Sequence, residues 1–171
     1  KMLPVKVKQG AMPRIRINMN LFWLSGLVIV LDQLTKYIAE SSLDYRVPVN
    51  VFTGLNITLV YNKGAAFSFL SDAGGWQRWF FMALSITISI VLVFWLRNVD
   101  KNRKYLAWGL ALILGGAIGN LIDRSLYGHV IDFIDVYYSS WHWPAFNIAD
   151  SAITLGAGLL ILDMFTHKET G

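Results

Sequence analysis

Two aspartates are the first candidates for chemistry, because both lie within or close to long apolar segments. Asp132 lies in the segment 128–135, and Asp150 lies near the start of an apolar run. Two carboxyl groups held close together cannot both ionise easily, so such a pair shares one proton. One member can then activate a water while the other protonates a carbonyl oxygen. This is the chemistry of peptide hydrolysis without a metal or a covalent intermediate.

The spacing of the acids leaves other pairings open. Three further aspartates could complete the pair instead: Asp32, Asp123 and Asp135. The same acids could also form structural ion pairs with Lys36 and Arg124.

Other hydrolase signatures are missing from the sequence. There is no His-Glu-x-x-His motif and no Gly-x-Ser-x-Gly motif, which disfavours a zinc metalloprotease and a serine hydrolase of those types. The absence of cysteine excludes a thiol protease, a disulfide scaffold and a cysteine-ligated zinc site. We therefore expect no metal and no cofactor.

Polar residues recur at helical spacing inside apolar segments. Residues three, four or seven apart share one face of a helix, and polar residues inside a membrane normally face the bundle interior and pair there. Three such stripes at one depth predict one shared polar site. The stripes are Asp32 and Lys36; Asn120, Asp123 and Arg124; and Asn147, Asp150, Ser151 and Thr154.

Four apolar segments must position these stripes. Of the 171 residues, 55% are hydrophobic and 15% charged, which is too apolar for an ordinary soluble domain. A helix of 18 residues is about 27 Å long and nearly spans the ~30 Å hydrocarbon core. We predict transmembrane helices at about residues 19–39, 79–96, 105–122 and 146–165 in a single domain of residues 12–171. Residues 1–11 resemble an expression-tag remnant, and Gly115 and Gly119 predict close helix packing.

The basic residues predict the orientation of the spans. The net charge is +4, but the Lys and Arg residues cluster between apolar runs, four of them in residues 97–104. The positive-inside rule then places this loop and both termini in the cytoplasm, and segments 40–78 and 123–145 outside. We read the charge as a topology signal and expect no nucleic-acid partner.

The outer segments carry their own structural signals. Alternating apolar residues in 47–51 and 55–61, with Gly54 between them, predict a β-hairpin or small sheet. Residues 65–70 predict a short interfacial helix, and residues 141–144 an aromatic anchor at the membrane surface. Segment 128–135 is read as a loop that returns Asp132 to the polar stripes. The fold class is thus an all-α membrane protein with four spans and a small extracytoplasmic β-structure.

Five sequence blocks in order resemble lipoprotein signal peptidase, also called signal peptidase II, of bacterial inner membranes. The resemblance covers essentially all of residues 12–168. The blocks are DQLTK at 32–36, NKGAAF at 62–67, GGAIGNLIDR at 115–124, GHVIDF at 128–133 and FNIAD at 146–150.

The resemblance implies an aspartic intramembrane endopeptidase near the outer leaflet of the bacterial inner membrane. Such an enzyme removes the signal peptide of a diacylglyceryl-modified prolipoprotein just before the lipidated cysteine, with membrane lipid as its surroundings. It needs no metal and is inhibited by cyclic peptides of the globomycin type. The family's catalytic pair maps onto Asp132 and Asp150. Its substrate-site residues map onto Asn62, Gly64, Asn120, Arg124 and Asn147, and its structural polar network onto Asp32, Lys36 and Asp123.

Two alternatives from other classes remain open, one of which is a non-catalytic assembly protein whose acids form structural ion pairs. A small membrane transporter or proton-relay subunit could use the same intramembrane acids. It predicts polar residues along the full depth of the spans, whereas these gather at one end, with Asp163 as the exception.

Overall fold

The computed structural model describes residues 21–64 and 76–166, which form four long helices and a four-stranded antiparallel sheet. The chain order is α1, β1, β2, α2, α3, β3, β4 and α4. The helices are α1 Phe22–Ser42, α2 Trp76–Asn98, α3 Lys104–Leu126 and α4 Ile148–Thr166. The strands are β1 Val49–Phe52, β2 Leu55–Asn62, β3 Val130–Tyr138 and β4 Trp141–His142.

All four predicted spans are helices that are long and apolar enough to cross a membrane. Their bounds differ from the prediction by one to four residues. The start of the fourth differs for a clear reason: Phe146 forms a β-bridge with Ile134, so the helix begins two residues later than predicted.

The bundle is organised around α3, the most buried of the four helices, whereas α2 is the least buried. Small residues let the backbones approach closely, as the Gly-x-x-x-Gly spacing predicted. A Cβ on Gly115 would lie 2.7 Å from the Val28 Cβ of α1, and one on Gly119 would lie 2.6 Å from an Asp32 carboxylate oxygen. Near the other end of α3, a Cβ on Gly156 would lie 2.7 Å from the Gly109 carbonyl oxygen.

The sheet has strand order β1-β2-β3-β4 and is larger than the predicted hairpin. The β1–β2 hairpin turns at Gly54, which has a φ of +99° that favours glycine. Treating segment 128–135 as a loop was wrong, because residues 130–138 form β3 and pair with β2. The first four residues of β3 are all buried, so its apolar run lacked the alternation that marks a half-exposed strand.

The sheet lies at one end of the bundle, because it connects the last turns of α1 and α3 to the start of α4. The segments 40–64 and 123–145 therefore meet, as expected for two segments on the same side of a membrane. Residues 65–70, the predicted interfacial helix, lie outside the described residues.

Candidate active site

Asp150 is built into the start of α4 by a reciprocal cap. Asn147 precedes the helix, and its Oδ1 accepts a hydrogen bond from the Asp150 backbone N–H at 2.9 Å. The Asp150 Oδ2 in turn accepts from the Asn147 backbone N–H at 3.3 Å. This is a capping box with Asn and Asp in place of the more common Ser and Glu. The carboxyl group of Asp150 is therefore fixed by the local geometry that begins the helix.

Asp132 projects from β3 toward the same point. Its Oδ1 accepts a hydrogen bond from the Asn147 Nδ2 at 2.7 Å, and its Oδ2 accepts from the Asn62 Nδ2 at 3.1 Å. Asn147 therefore touches both aspartates. Asp132 is buried and Asp150 is half-buried, so the pair lies at the edge of the protein interior.

The pKa of Asp132 is raised toward neutral pH. Burial first, and then the charge of Asp150, raise its pKa from 3.8 to about 7, against the hydrogen bonds from Asn62 and Asn147 and the charge of Lys36. A carboxyl group with this pKa can hold a proton at pH 7 and release it within the same reaction.

Asn120 of α3 connects this pair to a buried ion network. Its Nδ2 donates to the Asp150 Oδ1 at 2.8 Å, while its Oδ1 accepts from the Lys36 Nζ at 3.0 Å and the Asn147 Nδ2 at 3.2 Å. The orientation of the Asn120 amide is thus set by a lysine on one side and a carboxylate on the other.

The ion network consists of Asp32, Lys36 and Asp123. The Lys36 Nζ lies 2.8 Å from a carboxylate oxygen of each aspartate, and all three side chains are almost completely buried. Asp32 also accepts from the Ala149 backbone N–H at 2.9 Å, and Asp123 from the Ile131 backbone N–H at 3.1 Å. These contacts tie α1 and α3 to α4 and β3, the two elements that carry Asp150 and Asp132.

Arg124 and Gly64 meet at the edge of the site. The Arg124 Nη2 donates to the Gly64 carbonyl oxygen at 3.2 Å, and the Gly64 N–H donates to the Asn62 Oδ1 at 3.0 Å. The predicted substrate-site residues Asn62, Gly64, Asn120, Arg124 and Asn147 therefore form one connected cluster with the two aspartates.

Four residues of the predicted polar pattern lie elsewhere or point away. Asp135 is bound by Asn56, Thr58 and His142 on the sheet, and Asp163 pairs with Arg103 at the opposite end of the bundle. In the third stripe, the Ser151 hydroxyl donates to the Asn147 carbonyl oxygen and the Thr154 hydroxyl to that of Asp150, so these two residues do not extend the cluster.

Gln33 is one participant that the spacing argument missed. Its Nε2 lies 2.9 Å from the Asp123 Oδ1 and 3.2 Å from both the Asp32 Oδ2 and the Gly119 carbonyl oxygen. Its position next to Asp32 in the first sequence block was the available signal. Among the described residues there is no group of three or more His, Asp or Glu side chains that could hold a metal ion.

The chain resembles known proteins along most of its length. The family model described as signal peptidase (SPase) II matches residues 24–166. A lipoprotein signal peptidase of Acinetobacter baumannii is 61% identical over 148 residues, covering 85% of this chain and 84% of that protein. One from Alteromonas mediterranea is 50% identical over 152 residues, covering 89% and 84%.

Two solved structures, both described as a bacterial membrane enzyme studied by the in meso method, share the fold. The first, at 2.3 Å resolution, has a TM-score of 0.79 and 32% identity, covering 94% of this chain and 99% of that one. The second, at 1.9 Å, has a TM-score of 0.77 and 33% identity, covering 92% and 100%. The match of the family model, the identities and the shared fold agree, and the chain belongs to the signal peptidase II family.

Proposed function

We propose that this chain is an aspartic endopeptidase that cuts the signal peptide from diacylglyceryl-modified prolipoproteins, just before the lipidated cysteine. The observation that carries the proposal is the contact of one residue, Asn147, with both carboxyl groups: its Nδ2 donates to Asp132 and its backbone N–H donates to Asp150. Family membership supports the substrate class, since the relatives are named lipoprotein signal peptidases.

In the proposed reaction the two aspartates share one proton. Asp132, whose pKa lies near 7, holds that proton and donates it to the carbonyl oxygen of the scissile bond. Asp150 takes a proton from a water whose oxygen attacks the carbonyl carbon. As the carbon–nitrogen bond breaks, Asp150 gives this proton to the leaving nitrogen and Asp132 takes one back from a hydroxyl group of the tetrahedral intermediate, which restores the singly protonated pair.

Asn147 and Asn120 hold the pair in this arrangement. Asn147 donates to Asp132 and Asn120 donates to Asp150, so neither carboxyl group can turn away without losing a buried hydrogen bond. Asn62 fixes the second oxygen of Asp132. Arg124, next to Gly64, is placed to bind a carbonyl or ester oxygen of the substrate through its remaining N–H donors.

The position of the site suits a substrate that reaches it through the bilayer. A signal peptide leaves its cleavage site near the outer leaflet, and the acyl chains of the modified cysteine keep that site in the membrane. We infer that the sheet end of the bundle faces outward and that both termini are cytoplasmic. Burial of acyl chains contributes about 0.8 kcal/mol per CH₂, so lipid supplies much of the affinity. Globomycin-type cyclic peptides would compete at this site.

A transporter or proton relay is not favoured. It needs polar side chains through the depth of the membrane. In the described part of the chain, the connected polar network lies at the sheet end, and Asp163 at the other end is paired with Arg103.

The test is cleavage of a diacylated prolipoprotein peptide by purified full-length protein in detergent. Asp132→Asn and Asp150→Asn should each abolish cleavage, because either change removes the shared proton or its partner. Asp135→Asn is the matched control: this acid lies on the same strand but contacts Asn56, Thr58 and His142 instead, so cleavage should persist. Normal turnover by either dyad variant, or loss of cleavage in the control alone, would contradict the assignment.

Thermal unfolding separates loss of chemistry from loss of fold. A carboxyl group whose pKa is raised on folding loses its stabilising effect as the pH rises from the unfolded to the folded pKa. For Asp132 the loss begins above 3.8 and is complete above about pH 7. Asparagine carries no charge but has only one acceptor oxygen for the two donors, Asn147 and Asn62. The relief of the buried charge offsets the lost hydrogen bond, so Asp132→Asn should unfold near the wild-type temperature at pH 8. A variant that is inactive and clearly less stable would leave misfolding as the cause and count against the catalytic role.

The orientation has its own test. A reporter fused near Asn102, in the basic segment 97–104, should be cytoplasmic, and one fused near Ser139, between β3 and β4, should be external. The reverse pattern would place the site in the inner leaflet, where a signal-peptide cleavage site does not lie.

A further inference from the structure

The first turn of α2 packs against the last turn of α3, where Arg124 lies. We propose that Arg78 and Phe81 of α2 are positioning residues that direct the Arg124 guanidinium toward the substrate. This inference rests on the proposed function and assigns to α2, which contributes none of the clustered polar residues, a part in substrate binding.

Phe81 supports the guanidinium directly. The Arg124 Cζ lies 5.2 Å from the centroid of the Phe81 ring, within the range of a cation–π contact. On another side the Arg124 Nη2 donates to the Gly64 carbonyl oxygen. The guanidinium is therefore held between an aromatic ring and a backbone carbonyl.

Arg78 fixes the backbone from which Arg124 projects. Its Nη2 donates to the Ser125 carbonyl oxygen at 2.8 Å, and this oxygen is one of the last four of α3, which lack donors within the helix. The positive charge also suits the negative end of the helix dipole. The side chain packs against Gly128, where a Cβ would lie 3.3 Å from the Arg78 Nη1.

The two α2 residues act on adjacent residues of α3. Arg78 and Phe81 are three positions apart and so share a helix face. Arg78 holds the Ser125 carbonyl and Phe81 holds the side chain of the preceding residue, Arg124. A shift of α2 along this contact would move both.

Arg124 needs such support because the acids that attract it, Asp150, Asp132 and Asp123, do so only from a distance. Among the described residues it forms no ion pair within 4.0 Å, and its hydrogen bond to Gly64 uses one of five N–H donors. Neutral supports leave the charge and the remaining donors available to a substrate oxygen. A carboxylate partner would compete with the substrate for them.

The experiment measures KM and kcat for a fluorogenic diacylated lipopeptide with purified full-length protein. Phe81→Leu keeps an apolar side chain but removes the ring face, so KM should rise about 2- to 10-fold with kcat nearly unchanged. Phe94→Leu is the matched control, because Phe94 lies in the same helix near its other end and is exposed. It should leave both constants within twofold.

A double-mutant comparison decides whether Phe81 acts through Arg124. In an Arg124→Gln background, Phe81→Leu should raise KM by less than twofold further, since the cation is gone. Arg78→Met should raise KM in the same way, and Arg78→Lys, which retains a donor and a charge, should restore part of the loss.

The outcomes separate this inference from the proposed function. Two results, obtained with an active wild type, would overturn the positioning role alone. In the first, Phe81→Leu raises KM as much in the Arg124→Gln background as in the wild type. In the second, Phe81→Leu does not change KM at all. Equal losses from Phe81→Leu and Phe94→Leu also overturn it. A wild-type protein that does not cleave the lipopeptide overturns the proposed function and this inference together.

Discussion

Replacing Lys36 by methionine should destabilise the protein more than any other lysine substitution in the described part of the chain. Methionine preserves the unbranched, apolar stem and removes only the charged end. The Lys36 Nζ has three partners: carboxylate oxygens of Asp32 and Asp123 at 2.8 Å each and the Asn120 Oδ1 at 3.0 Å. The lysine is 2% exposed and the aspartates 0% and 1%.

The magnitude follows from what remains after the change. Two carboxylates stay buried beside each other, and each loses a charge-assisted hydrogen bond. Removing one partner of a buried ion pair typically costs about 3–5 kcal/mol in the free energy of unfolding. At roughly 2–4 °C per kcal/mol for a chain of this size, the unfolding temperature should fall by about 6–20 °C.

The assay is thermal unfolding of the purified variants in one detergent at pH 7. Lys101→Met is the control, because Lys101 is exposed and forms no ion pair among the described residues, so its effect should stay within about 0.5 kcal/mol. Adding Asp123→Asn to Lys36→Met removes one unpaired charge and should recover part of the loss. A Lys36→Met protein as stable as the wild type would refute the view that this network is tightly bound and dry.

Four further predictions address the site and its packing. Cleavage should decline as the pH rises through about 7, because Asp132 then loses its proton, and a rate that stays constant to pH 9 would contradict the shared proton. Gly119→Ala should destabilise by about 1–3 kcal/mol, since its Cβ would lie 2.6 Å from an Asp32 oxygen, whereas Gly158→Ala, with nothing within 4 Å, should be neutral or stabilising by thermal unfolding. Arg124→Lys should raise KM, because lysine lacks the planar fork of donors, and an unchanged KM would indicate a simple charge role. A chelator should leave the cleavage rate unchanged, and inhibition that added zinc reverses would contradict this.

The second and third helices could be predicted from the sequence because an uncharged run of 18 residues, most of them apolar, has few other stable environments. Their ends could not, because a helix does not stop where its apolar residues stop. The second span extends from 79–96 to Trp76–Asn98, and the third from 105–122 to Lys104–Leu126. The added turns include Arg78 and Arg124, whose side chains are anchored by contacts between helices that spacing does not reveal.

The clustering of the polar stripes was also predictable, since buried polar groups must find partners. Which aspartates lie together was harder to predict, because the answer depends on recognising residues 130–138 as a strand. Side chains three apart in a strand point to opposite faces, so Asp132 and Asp135 cannot serve one site. A loop carries no such restriction, and Asp135 therefore remained open as a partner for Asp150.

The contact that anchors the start of α4 on α1 also determines when the two aspartates come together during synthesis of the chain. Asp132 and Asp150 both lie in the last third of the chain, and the start of α4 is secured by Asp32 of α1 through the Ala149 N–H. The ribosome releases the first three helices before the fourth, so no earlier fragment contains both carboxyl groups. Only when the last helix docks against the first are they brought together, so under the proposed function a nascent or truncated chain would lack peptidase activity.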